Sequence, residues 1–155
     1  MTLSKLNESL TLLANIGVIA GIVFLAVEVQ QNTSMMQAQT RDAMTEKLVD
    51  WYAAISSSEF TVQSFWNSRA GTPGSELEQR AFLFMALGNI RIWENEWYQF
   101  QNGLFDETEF EARIKQWPSV INAPGYRRAW EATKETHSPD FVEYIDSLLE
   151  VRETQ

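Results

Sequence analysis

The sequence has no cysteine and a single histidine, His137. Without thiols there can be no disulfide, no thiolate zinc site and no cysteine-ligated iron–sulfur cluster, and either side of a membrane remains open to the chain. A carboxylate-bridged metal site in a helical bundle draws on Glu-x-x-His pairs, but the residue three before His137 is Lys134. No Gly-x-Ser-x-Gly elbow, P-loop or dinucleotide-binding glycine pattern occurs. Together these gaps predict a chain that is not an enzyme, with no metal and no cofactor. Basic residues are also scarce. Twelve Lys and Arg stand against 21 Asp and Glu, for a formal net charge of -9. That balance argues against nucleic acid as a partner and against a basic grip on anionic lipid headgroups. No alternating apolar pattern marks a β-strand, and no internal repeat is visible.

What is present first is a long apolar run, Leu10 to Val29, uncharged until Glu28. About twenty helical residues reach roughly 30 Å, the thickness of a bilayer's hydrocarbon core. The run predicts one transmembrane helix; the alternative is a buried core helix of a soluble bundle. Phe24-Leu25-Ala26-Val27-Glu28 at its end lacks the small residues of a signal-peptide cleavage site, so the segment reads as an anchor. A mean hydropathy of -0.26 over 155 residues leaves room for one span and one small polar domain. A second apolar stretch, Ala81 to Gly88, is too short to cross. Lys5 precedes the run, and no cation follows it before Arg41, which leans toward a cytoplasmic N-terminus and an exported C-terminal domain.

The remaining chain reads as helices throughout. Met36, Ala43, Met44, Leu48, Trp51, Tyr52 and Ile55 recur at helical spacing, so the anchor is expected to continue to about Ser57. Ser56-Ser-Ser-Glu59 and Ser75-Glu-Leu-Glu78 are capping-box patterns that open two further helices, separated by a loop at 70–75. The second helix is expected to run to Asn102, with Ala81 to Leu87 apolar nearly all round as in a central helix. Asp106 starts a helix that Pro118 is expected to end, with Phe110, Ile114 and Trp117 on one face. Helices after Asn122 and from Ser138-Pro139 complete an all-α chain. The expected divisions are a flank over 1–9, the transmembrane helix over 10–29, a helical extension over 30–57 and a helical domain over 58–155.

Two constellations stand out. Gly17 and Gly21 form a GxxxG pattern that lets a second helix approach closely, and Glu28 falls on the same face. A glutamate at the membrane edge needs water or a partner. The face reads as an oligomer seam; the alternative is a Glu that reaches the headgroups beside incidental glycines. Asn15 lies opposite. The run from Arg91 to Phe100 sets Trp93 and Trp97 one turn apart, beside Glu94 and Tyr98. These four could cage a cationic ligand, or Trp93 and Trp97 could be core, with Arg91–Glu94 an ordinary ion pair. His137 is expected at a helix C-terminus, where positive charge is welcome.

With those residues assembled, the chain resembles a widespread, functionally uncharacterised group of small bacterial membrane proteins. The likeness rests on Glu28-Val-Gln-Gln-Asn-Thr33 (the Gln-Asn-Thr signature), Trp93 to Gln99, Gly103 to Asp106, Pro124 to Trp130 and Ser138 to Phe141, in that order. It implies a bacterial cell-membrane protein with one N-terminal span and a helical domain, and carries no activity with it. Many such sequences have a basic residue where this chain has Gln30, so the topology cue is missing here. The function expected is a membrane-anchored scaffold or accessory subunit. Its partners would be the lipid bilayer and either further copies of itself or another membrane protein. The alternative is a binding module with a small cationic or apolar ligand in an aromatic-lined pocket.

Overall fold

The computed structural model describes residues 3–72 and 74–150. Its helices are α1 (Leu3–Ile55), α2 (Glu59–Ala70), α3 (Glu76–Gln101), α4 (Glu107–Ile114), α5 (Trp117–Ile121), α6 (Pro124–Thr133) and α7 (Pro139–Glu150). A 3-10 turn, Lys134–Thr136, joins α6 to α7, and no strand occurs among the described residues. The protein is all-α, as the periodicity predicts. It divides into two compact units, residues up to Gln39 and residues from Thr40 onward.

In the first unit α1 is the one helix among the described residues long and apolar enough to cross a membrane. None of its apolar window is buried, so the reading as a covered core helix fails. Phe24, for instance, is 66% exposed and Leu13 65%. Leaving such side chains in water forgoes about 1.5–3 kcal/mol each, which a lipid environment supplies instead. Thr11, Thr33 and Ser34 turn their hydroxyls onto carbonyls one turn back, so α1 satisfies these donors itself.

The second unit is built around α3, against which α2, α4 and α6 pack, while α5 packs on α6 and α7. Its core is aromatic: Trp93, Trp117, Trp130, Tyr126 and Phe141 are fully buried, with Ile90, Ile121 and Ile145 between them. The Trp51 indole donates to the Met85 carbonyl at 2.9 Å and so ties the last turns of α1 to α3. Gly125 lets α6 lie on α2, because a Cβ there would strike the Ser68 carbonyl.

Three local expectations are corrected. The cap of α2 is Ser58, not Ser56, and its reciprocal partner is Thr61. With Ser58 as cap, Glu59 is the first helical residue and stands too close to reach back. The Thr61 hydroxyl also donates to the Ile55 carbonyl at 2.6 Å, which fastens the turn between α1 and α2. The helix beginning after Asp106 ends at Ile114, and Pro118 sits in the first turn of α5 rather than closing α4. A first-turn proline has no bond to lose, since that N–H has no helical acceptor. Lastly, α3 is not buried all round over 81–87: Phe84 is 73% exposed. The Ser75–Glu78 box, the Asp106 cap and Gly103 just beyond α3, at φ 69, are found as expected. Pro73, within the loop expected at 70–75, lies outside the described residues, as do 1–2 of the expected flank and 151–155 of the helical domain.

Candidate functional site

The run from Arg91 to Phe100 lies on α3 and turns one face to the core. Trp93 is 2% exposed and stacks on Trp117, with ring centroids 4.9 Å apart and planes 13° from parallel. Trp97, half-buried, stacks on Tyr144 at 4.1 Å. Both tryptophans are therefore packing residues first. Tyr98 points into solvent and is 61% exposed.

Glu94 does something local spacing could not suggest. Its Oε2 lies 2.8 Å from His137 Nδ1 and accepts from the Arg91 guanidinium, while Oε1 accepts the Ser138 N–H at 2.7 Å. Burial pushes the Glu94 carboxyl up, but the bonds from Ser138, His137 and Arg91 outweigh it and hold the group below the usual carboxylate range. Arg91 also donates to the Thr136 carbonyl at 2.7 Å. The expected Arg91–Glu94 pair is thus one side of a clamp that fixes the turn ahead of α7. His137 caps the 3-10 turn, as its expected helix-end position implies. Its ring is tilted against Trp130 and Phe141, and Nε2 is buried without a hydrogen-bond partner. Among the described residues, no three His, Asp or Glu side chains gather as a metal site.

A cavity of about 390 Å³ opens in the second unit, bounded by the end of α1 and by α2, α3, α4, α5 and α6. Trp51, Phe65, Trp93 and Tyr126 supply aromatic wall, and Arg69 and Arg113 supply charge. Its size lies within the range of about 300–1,000 Å³ usual for small-molecule sites. Of the four residues picked from the aromatic run, only Trp93 lines it. Asn89 donates to the Tyr126 hydroxyl at 2.9 Å, and burial, eased by that bond, pushes the phenol up to about 12. The phenol therefore keeps its proton near neutrality. Arg113 Nε donates to Glu96 Oε1 at 2.9 Å. Burial raises the Glu96 carboxyl above its ordinary value, and the attraction of Arg113 offsets this only in part.

Sequence reading missed the two arginines, Asn89 and Tyr126, which stand on separate helices and meet only through tertiary packing. Arg113 carried one faint signal, since it stands three residues after Phe110, the buried residue of a short helix. At the other candidate face, a Cβ built on Gly17 or Gly21 meets nothing within 4 Å, and Glu28 is exposed. Compared with protein-family models, with curated proteins and with solved structures, the chain matches none of them.

Proposed function

We propose that the chain is a non-enzymatic protein of the bacterial cell membrane that spans the bilayer once. It self-associates through the face carrying Gly17, Gly21 and Glu28, and serves as a scaffold or accessory subunit of a membrane assembly. The observation that supports this is the bare apolar window of α1: no part of it is buried, and both glycines are open to a close neighbour. In lipid, small residues one turn apart favour backbone contact between helices, because packing rather than hydrophobicity drives association there. The test is native mass measurement in lipid nanodiscs. Gly21→Leu is expected to reduce the oligomer while circular dichroism of the helical domain stays unchanged. An oligomer indifferent to that change means the glycines do not make the contact.

A second reading is favoured by the aromatic cavity. A scaffold has no use for a 390 Å³ space beside Trp93. On this reading the helical domain holds a small ligand, and the N-terminal span tethers that domain to the membrane.

A further inference from the structure

The charge around the cavity has one sign. Arg69 and Arg113 line it, and no aspartate or glutamate does, in a chain with 21 acidic residues against 12 basic ones. A surface drawn at random from such a composition would carry carboxylates. Arg69 makes no ion pair among the described residues; its guanidinium lies over the Trp66 ring, 5.5 Å from the centroid. Arg113 is engaged through Nε alone, and its two terminal amino groups donate to no described residue. The Tyr126 hydroxyl accepts from Asn89, which leaves its own proton free to donate. A cationic ligand, the natural guest of an aromatic cage, would meet the Arg69 guanidinium here, with no carboxylate in the lining to offset it. An anion would meet donors in the fork geometry that suits a carboxylate. Most of the remaining wall, with Trp51, Ile55, Phe65, Trp93 and Val120, is apolar and suits an apolar body.

We infer that this cavity binds a small monocarboxylic acid with an apolar body, the body lying among Trp51, Phe65 and Trp93 and the carboxylate pairing with Arg69. The inference rests on the second reading above, that the cavity is a ligand site. Such an acid has two sources, an acyl chain released from lipid or a free aromatic acid, and the probes distinguish them. Isothermal titration of the full chain in lipid nanodiscs, with empty nanodiscs as blank, would compare octanoate and 3-phenylpropanoate with the alcohol and the amine of each body. One acid is expected to bind at least about tenfold more tightly than its alcohol, and the amines not at all. Octanoate as the tighter acid marks the acyl source, and 3-phenylpropanoate the aromatic one. Arg69→Gln is expected to abolish the preference for acid over alcohol and leave the alcohol's affinity unchanged. Alcohol binding as tight as acid, tighter binding of an amine, or an acid affinity unmoved by Arg69→Gln overturns the inference, while the cavity stays a ligand site. If none of the six probes binds a chain that circular dichroism shows to be folded, the inference and the reading beneath it both fall.

Discussion

Glu94 and His137 meet at 2.8 Å across 43 residues of sequence, and through them α3 holds the turn that leads into α7. The same carboxylate takes the Ser138 N–H, one of the donors that α7 would otherwise leave without an acceptor. Negative charge at that position also suits the positive end of the α7 dipole. One glutamate thus secures the last helix of the domain.

Glu94→Gln should therefore weaken the domain at neutral pH, by about 1.5–3 kcal/mol for the loss of charge-assisted bonds. The pH dependence has a definite sign. Glu94 is held below its ordinary value, so its contribution is full above the unfolded carboxylate pKa and is lost as pH falls through the depressed folded one. The gap in thermal midpoint between wild type and Glu94→Gln should be widest near neutrality and close toward strong acid. A gap constant with pH would mean that the charge of Glu94 is not what stabilises.

Glu96 should behave in the opposite sense. Its carboxyl is raised by burial, so the folded state loses stability as pH climbs from the unfolded pKa through the raised folded one. Glu96→Gln keeps an acceptor for Arg113 Nε without the buried charge. Its thermal midpoint relative to wild type should rise between pH 4 and pH 7. A relative midpoint that falls over that range would show that the ion pair with Arg113 outweighs desolvation.

Trp97→Ala should cost about 3 kcal/mol, the lower end for a tryptophan, because part of the ring is already at the surface. It removes the stack on Tyr144 and the contact with Phe110, which together join α3 to α7 and α4. Urea unfolding measures this directly. A midpoint within error of wild type would mean that the Trp97 stack contributes nothing to packing.

Gly125→Ala tests the approach of α6 to α2. The added Cβ would strike the Ser68 carbonyl and stand 2.9 Å from the Phe82 ring, so the helices must part at a cost of about 1–3 kcal/mol. Gly21→Ala, which meets nothing within 4 Å in its own chain, is the matched control and should leave the unfolding midpoint of the helical domain unchanged. Equal effects of the two would remove the steric explanation.

What was legible in the sequence was what depends on neighbours along the chain. The Ser75–Glu78 box, the Asp106 cap and Gly103 beyond α3 are all short-range, and each follows from side chains within a turn of one another. So does the helical spacing from Met36 to Ile55 that carries α1 past its apolar run. Ser58 was harder, because three consecutive serines offer the same cap chemistry, and Thr61, bonded reciprocally to Ser58, marks which of them is the cap. Glu94 stands out in the sequence by the aromatics beside it, yet its role comes from His137 and Ser138 on a distant turn. The cavity was invisible for the same reason: Trp51, Arg69, Trp93 and Arg113 come from four different helices. Phe84 shows the limit of composition, since an apolar stretch does not say which of its side chains the core will leave out.

Glu28→Gln separates two forces at the proposed seam. Parallel copies meeting at Gly17 and Gly21 would bring their Glu28 side chains together, because all three residues share one helical face. Removing that repulsion should strengthen the oligomer in nanodiscs, most clearly at low salt. Weakening would mean that Glu28 pairs with a cation on a different protein.

Alkaline carbonate extraction of membranes carrying the full chain tests most directly whether residues 10–29 anchor the protein. About twenty apolar residues in a bilayer hold a chain far more firmly than surface charge or a single acyl group. The whole of the chain is expected to remain in the membrane pellet after both high-salt and carbonate washing. Release of the intact chain into the carbonate supernatant would contradict the anchor, and with it the seam.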